Sequence, residues 1–190
     1  MNYFKASILF VFLIFTEQIS AQVPALGGGL TFSTGIDVNG LSTGNPGIYA
    51  KAYFKLGKQF KIVPSLSAFS PKKRAYPAYA ATLRNYMFLG DLDAHYSVYH
   101  DKPIRVIIFS GINTTAVISK WELDQNIGQN VKDENKISPG INLGGAIYMF
   151  VNNSFDAFIA GKYIAGNLNH AVINIGIIYY PEGLRRRGGW

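Results

Sequence analysis

Three side chains at two-residue spacing, Asp91, Asp93 and His95, form the most chemically suggestive group in the sequence. Alternate residues of an extended strand point to the same side, about 7 Å apart, so these three share one face. Such a row suits either a bound metal ion or acid–base catalysis. We favour an interior charge network, because a metal site needs a further clustered ligand and His100 and His170 lie at predicted strand ends. No metal or cofactor is predicted.

Signatures of nucleophilic or phosphate chemistry are weak. Ser97 lies two residues after His95, but a hydrolase needs a serine, a histidine and an acid placed together. Residues 27–29 are three glycines that lack the lysine, the Ser/Thr and the helix of a phosphate-binding loop. We therefore predict no catalytic residue, and that the protein is not an enzyme.

The segments that carry these residues repeat apolar side chains at every second position. In residues 171–180, for example, Ala171, Ile173, Ile175 and Ile177 share one wholly apolar face, and the other face is mixed. A period of two is typical of a β-strand. The eight predicted strands are 29–38, 48–56, 60–69, 86–98, 104–114, 141–151, 155–165 and 171–180.

The charged residues of these strands all take the mixed face, and none takes the apolar face. They are Asp37, Lys51, Lys55, Lys61, Asp91, Asp93, His95, Arg105, Asp156 and Lys162. Strict sorting is expected where the apolar face meets lipid, because a charge there costs about 2–4 kcal/mol at mid-membrane. The near balance of acids and bases predicts a packed interior of ion pairs rather than an open pore.

Strand number and length favour a membrane barrel. A tilted membrane-crossing strand needs about 9–11 residues, and eight strands is the smallest usual membrane barrel. The links alternate between tight turns, as at 57–59, and longer segments, as at 70–81 and 115–136. We therefore predict an all-β fold, an eight-stranded antiparallel up-and-down transmembrane β-barrel, with the short turns and both termini on the periplasmic side.

Composition and the chain ends are consistent with an exported protein. The chain of 190 residues is 48% hydrophobic and 15% charged, has a net charge of +7, and contains no cysteine. Lys5, a short apolar run and Ala21 have the layout of a cleaved signal peptide. The predicted division is a signal peptide at 1–21, a barrel at 22–181 and a basic periplasmic tail at 182–190.

The chain resembles a known group of proteins. The phrases Ile107-Ile108-Phe109-Ser110-Gly111, Asn142-Leu143-Gly144-Gly145-Ala146 and Asn174-Ile175-Gly176-Ile177-Ile178-Tyr179 are similar to strands of the small outer-membrane β-barrels of Gram-negative envelopes, of the OmpX, OmpA-barrel and porin-family type. The resemblance covers residues 26–181. It implies insertion into outer-membrane lipid by the outer-membrane assembly machinery, which reads a closing strand that ends in an aromatic residue, here Tyr179 or Tyr180. It implies no single activity.

Two further segments are candidate contact surfaces. Lys72, Lys73, Arg74, Tyr76 and Tyr79 form a basic–aromatic cluster in a predicted outer loop, which suits anionic lipopolysaccharide, a polyanion or a protein partner. The polar segment 122–136 is also placed for surface recognition. No nucleic-acid partner is expected for an exported chain, despite the Arg-rich tail.

The sequence thus predicts an outer-membrane barrel without catalytic activity, with a structural or interaction role through its outer loops or as an accessory subunit of an envelope complex. Three alternatives stay open. A soluble periplasmic β-barrel would bury the same apolar faces around an apolar ligand. A lipid-modifying barrel enzyme would depend on His95, and a passive pore would conduct ions.

Overall fold

The structure is a computed structural model that describes residues 25–181 except 39–40, 43–44, 57–58, 77–80, 102 and 124–132. The predicted signal peptide at 1–21, the whole basic tail at 182–190, and Tyr79 lie outside the described residues. The strands are β1 (Ala25–Ser33), β2 (Asp37–Val38), β3 (Leu41–Ser42), β4 (Pro46–Lys55), β5 (Phe60–Phe69), β6 (Lys72–Tyr76), β7 (Ala81–Asp101), β8 (Ile104–Leu123), β9 (Glu134–Phe150), β10 (Phe155–Gly166) and β11 (His170–Tyr179).

Eight of these strands close into an antiparallel barrel. The order is β5-β4-β1-β11-β10-β9-β8-β7, and pairing of β5 with β7 closes the ring. β1 pairs with β11 from Leu26↔Tyr179 to Ser33↔Val172, so the first and last strands are neighbours. The prediction of an eight-stranded, all-β, up-and-down barrel is confirmed. Among the described residues, no helix is long and apolar enough to cross a membrane.

The apolar faces lie outside the barrel, as the charge sorting predicts. Leu66 is 72% exposed, Leu143 70% and Ile177 56%, whereas Asp91, Lys61 and Arg105 are buried in the interior. This is the reverse of a soluble ligand-carrying barrel, which would bury the apolar faces. The outer surface therefore suits lipid, and the interior holds the charges.

The first predicted strand extends too far towards its C-terminal end. Alternation continues through residues 29–38, but β1 ends at Ser33 because Gly35 adopts a φ of 94°, which strand geometry does not allow. The Gly35 N–H donates to Ser33 Oγ at 3.2 Å and stabilises this break. Asp37 consequently lies on β2, which pairs only with β3 in a separate two-stranded sheet. It is not on the barrel wall with the other predicted charges.

The described parts of the two long links predicted at 70–81 and 115–136 are largely strand. β6 pairs with β7 from Lys72↔Asn85 to Tyr76↔Ala81, and β8 pairs with β7 as far as Leu123. β9 begins at Glu134 and at first pairs with β8 alone. A four-stranded sheet made of β6, 81–87, 115–123 and 134–139 thus extends beyond the barrel, and we call it the projecting sheet. At about 3.4 Å per residue, it extends the wall by roughly 20 Å.

Candidate functional site

Asp91 is the centre of a hydrogen-bonded network inside the barrel. Its carboxylate accepts from Lys162 Nζ at 2.6 Å, from Asn113 Nδ2 at 2.6 Å, from Asn142 Nδ2 at 2.9 Å and from Ser65 Oγ at 3.1 Å. These partners lie on β5, β8, β9 and β10, while Asp91 lies on β7. One carboxylate therefore joins five strands, and its charge is satisfied by one cation and three neutral donors.

Asp93, two residues further along β7, shares a hydrogen-bond donor with Asp91. The Asn142 amide donates to Asp93 Oδ1 at 2.8 Å as well as to Asp91. Thr115 Oγ1 extends the network by donating to Asn113 Oδ1 at 2.7 Å. The neutral Asn142 carboxamide thus bridges two acids that would otherwise repel each other.

Lys51 lies in a cage of aromatic rings rather than in an ion pair. Its ammonium nitrogen is 3.6 Å from the ring centroid of Phe158, and 5.3 to 5.9 Å from those of Tyr53, Tyr49 and Tyr148. The negative faces of the rings attract a cation held away from water. Aromatic rings therefore surround the Lys51 ammonium, whereas the Asp91 carboxylate pairs with Lys162.

A second ionic group lies near the end of the barrel that carries the termini. Arg105 Nη2 is 3.8 Å from Asp156 Oδ2, which also accepts from the Tyr180 hydroxyl at 2.7 Å. Arg105 Nε donates to His100 Nδ1 at 3.0 Å. Lys61 is buried on β5, and half-buried Lys55 lies opposite it on β4.

Without Asp37, the predicted charge balance no longer holds. Five permanent bases of the predicted network stay in the barrel wall with three acids, Asp91, Asp93 and Asp156. Aromatic rings surround one of the excess bases, Lys51, and the tyrosine and amide partners donate to the acids, so the interior is stabilised by more than ion pairs. We propose that this set acts as a structural network rather than a ligand site.

The row Asp91, Asp93 and His95 does not converge on a metal. His95 stacks on Phe109, with ring centroids 4.7 Å apart and an interplanar angle of 15°, and meets Tyr53 edge-on. No group of three His, Cys, Asp or Glu that could hold a metal ion occurs in the part of the chain that the structure describes. Ser97 Oγ is directed to the Tyr99 carbonyl at 3.5 Å rather than to His95.

An apolar cluster fills the loop end of the interior. It consists of Ile36, Phe69, Met87, Leu89, Val117, Ile164, Leu168 and Val172. Together with the ionic layers beneath it, this cluster occupies the interior with side chains, as expected of an eight-stranded barrel. We propose that the interior is a packed core rather than an open channel.

The basic–aromatic cluster is divided between the two faces of the projecting sheet. Lys72 lies opposite Asn85 and Arg74 opposite Leu83, on the face that continues the barrel interior, whereas Lys73 lies opposite Arg84 on the outward face. Tyr76 contacts Trp121 with ring centroids 5.3 Å apart, and the Arg74 guanidinium lies 5.4 Å from the Tyr76 ring centroid. These residues belong to a strand, not to a loop as predicted.

Sequence reasoning missed two groups. Asn113, Asn142, Ser65 and Thr115 lie on the mixed faces, but only charged residues were counted there. The second group is an outward row of bases, in which Arg84 and Lys120 are cross-strand neighbours that extend from Lys73 of the predicted basic–aromatic cluster. The sequence pattern that indicates this row is the alternation of inward and outward side chains along β7 and β8, which continues past the predicted strand ends.

No model of a known protein family matches the sequence, and no curated protein sequence matches it. Solved structures do match. The chain is similar to the N-terminal β-barrel domain of Pseudomonas aeruginosa OprF, with a TM-score of 0.56 and 11% identity over 82% of this chain and 96% of that one. The chain has the fold of a small outer-membrane β-barrel.

Two further structures agree. Ail, the attachment invasion locus protein of Yersinia pestis, gives a TM-score of 0.57 at 9% identity, and Neisserial surface protein A gives 0.57 at 10%. Each covers 82% of this chain and 96% of its own. At such identities the likeness concerns the fold, and it confirms the barrel type that the strand pattern predicts.

Proposed function

We propose that this protein is a non-enzymatic outer-membrane barrel whose projecting sheet binds anionic polymers, such as sulfated or phosphorylated glycans, outside the cell. The observation that carries the proposal is the inward face of that sheet, where Lys72, Arg74 and Lys136 accompany the rings of Tyr76 and Trp121. The barrel anchors this face, and its packed interior supplies rigidity.

The charge of the projecting sheet suits a polyanion. Its strands carry six bases and two acids: Lys72, Lys73, Arg74, Arg84, Lys120 and Lys136 against Glu122 and Glu134. Cations attract sulfate or phosphate groups, and the half-buried rings of Tyr76 and Trp121 offer flat apolar surfaces for sugar faces. Ail, a barrel of this fold at 9% identity and a TM-score of 0.58, has been crystallised with the heparin analogue sucrose octasulfate, which supports the chemistry.

Affinity for immobilised heparin tests the proposal. The variant K72Q/R74Q/K136Q should elute at clearly lower salt than the wild type, because each lost phosphate- or sulfate-pairing base reduces the salt-dependent affinity. The matched variant K73Q/R84Q/K120Q removes the same charge from the outward face and should elute closer to the wild type. Equal loss in both variants would contradict a site on the inward face.

The proposed orientation places the termini and short turns in the periplasm and the projecting sheet outside. Because the chain has no cysteine, a single introduced cysteine can be labelled uniquely. A75C should react with a membrane-impermeant maleimide in intact cells, whereas N153C, in the exposed β9–β10 turn, should react only after the outer membrane is permeabilised. The opposite pattern would reverse the orientation.

Outer-membrane residence is tested by fractionation. The protein should appear in the outer-membrane fraction and require detergent for extraction, and its mobility on a denaturing gel should change on boiling as the closed barrel unfolds. Release without detergent would contradict the proposed location, whatever the result with heparin.

A further inference from the structure

The outward face of the projecting sheet carries three bases in one line across three strands. Lys73 on β6 pairs with Arg84 on β7, and Arg84 pairs with Lys120 on β8. Direct cross-strand neighbours lie about 5 Å apart, and like charges in such positions destabilise a sheet. Lys73 and Lys120 are exposed. Glu122 lies on the same face and pairs with Arg84, so three bases against one acid leave an excess of positive charge that an anionic ligand would offset.

Arg84 is only partly engaged. Its Nη2 donates to Glu122 Oε2 at 2.9 Å, and its Nη1 donates to the Tyr86 hydroxyl at 3.3 Å. Its Nε is buried and has no hydrogen-bond partner among the residues that the structure describes, so a ligand on the outer surface does not reach it. Each terminal guanidinium nitrogen has two N–H donors, so Nη1 and Nη2 of Arg84 each retain one donor for an anionic ligand while Glu122 holds the side chain on the outward face.

The line lies at the edge of the apolar surface. Along β7, the outward residues after Arg84 are Tyr86, then Phe88, Gly90 and Leu92, and Phe88 and Leu92 are exposed. Tyrosine is common where a barrel passes from hydrocarbon to the polar interface. The bases are thus positioned at the level of lipid headgroups.

Further along β7 and β8, the barrel wall has a groove of about 660 Å³ that continues across β5 and β4. The small residues Ala50 and Ala52 on β4 and Gly90 on β7 form its floor, and the larger Leu66, Leu92 and Ile112 also line it. The volume is within the range of small-molecule sites. A Cβ atom added to Gly90 would meet only the Leu66 side chain, at 3.7 Å, so the floor is open at this position.

The distance between the two features suits a lipid. Six residues separate Arg84 from Gly90, about 20 Å along the strand. With a strand tilt of about 40°, Gly90 lies roughly 15 Å deeper in the membrane than Arg84, near the middle of the hydrocarbon core. A phosphate at the line of bases would let an acyl chain descend the wall and end in the groove.

We infer that the wall formed by β4, β5, β6, β7 and β8 is a binding site for a single phosphorylated, acylated lipid. Lys73, Arg84 and Lys120 hold the phosphate, and the groove at Gly90 holds an acyl chain. This site faces the membrane and is separate from the inward face proposed to bind polyanions.

Native mass spectrometry of the full barrel in neutral detergent tests this inference. Dipalmitoyl phosphatidic acid should be retained by the wild type at one per barrel, whereas dipalmitoylglycerol and glycerol phosphate should not. K73Q/R84Q/K120Q should bind phosphatidic acid at least about tenfold more weakly, since a tenfold change corresponds to loss of roughly one charged contact. K72Q/R74Q/K136Q, with the same change of charge, should bind as the wild type does.

G90L tests the acyl-chain groove independently. Its side chain should fill the groove and weaken retention of the dipalmitoyl lipid several-fold, with the heat-dependent gel mobility unchanged. Equal retention by both triple variants, or retention of dipalmitoylglycerol as strongly as phosphatidic acid, would overturn the phosphate site. Dissociation of a dimer by G90L would instead assign the groove to a second copy of the chain and contradict the proposal.

Discussion

Lys162 Nζ and Asp91 Oδ2 lie 2.6 Å apart across the barrel interior, on strands that are three places apart in the ring. The two side chains are almost entirely buried, at 4% and 0% exposure. Their pairing therefore ties opposite parts of the wall together through the interior, in addition to the hydrogen-bonded ladders between neighbouring strands.

Replacing Asp91 should lower the free energy of unfolding more than replacing Lys162. In D91L, Lys162 loses its ion-pair partner, and the free energy of unfolding should fall by about 3–5 kcal/mol. In K162M, Asp91 still accepts from Ser65, Asn113 and Asn142, so the loss should be smaller. Equilibrium urea unfolding in lipid vesicles measures both.

The double variant D91L/K162M is the control for this pair. It leaves neither charge unpaired, so its loss of stability should be smaller than the sum of the two single losses. Additive losses would show that the ion pair contributes little beyond the separate contacts of each side chain.

A charge on the outer wall should prevent stable insertion. Ile147 is half exposed on β9 and faces the proposed lipid, so I147R should destabilise the barrel by about 2–4 kcal/mol if it lies at mid-membrane. N153R, in the exposed turn after β9, should have little effect. Folding yield into vesicles, read from gel mobility before and after boiling, compares the two, and equal yields would contradict the lipid-facing assignment.

Gly176 allows the first and last strands to approach each other. A Cβ at this position would overlap the Gly28 carbonyl oxygen on β1 and lie 2.7 Å from the Tyr49 hydroxyl. G176A should therefore destabilise the barrel by about 1–3 kcal/mol through overpacking. G161A is the matched control on β10, because nothing lies within 4 Å of its added Cβ. The urea midpoint of unfolding should be clearly lower in G176A than in G161A.

The aromatic cage of Lys51 predicts that the rings matter more than the cation. Phe158 packs against Tyr49 and Tyr148 as well as under the ammonium, so F158A should lose about 3–5 kcal/mol. K51M keeps the volume and removes a base from an interior with excess bases, so its cost should be smaller. A larger loss of stability in K51M than in F158A would show that the cation contributes more than the ring.

The membrane-facing part of the fold was predictable because lipid on one side and side-chain packing on the other impose a period of two. Residues 60–69 match β5 in full for this reason. The projecting sheet escaped prediction because water, unlike lipid, accepts Thr82, Arg84 and Glu122 on the outward face, so alternation there no longer separates apolar from polar. At Gly35, apolar alternation continued although the backbone turned.

The interior contacts were less predictable than the strands. The sequence pattern places Asp91 and Lys162 on the interior face, but which charges meet depends on the register of strands that are not neighbours. Asn113 and Asn142 are neutral, and their role follows only from the position of two acids beside them. The Lys51 cage likewise requires rings from β4, β9 and β10 to converge.

A rigid support for the projecting sheet has a consequence for binding strength. If every copy presents its basic face on the same side of one membrane, a long polyanion meets many identical sites held in two dimensions. Once the first site is occupied, the next binding event has a high effective concentration. Weak individual contacts would then add up to slow detachment, and the density of the protein in the membrane, more than the affinity of a single copy, would set how firmly a polymer is retained.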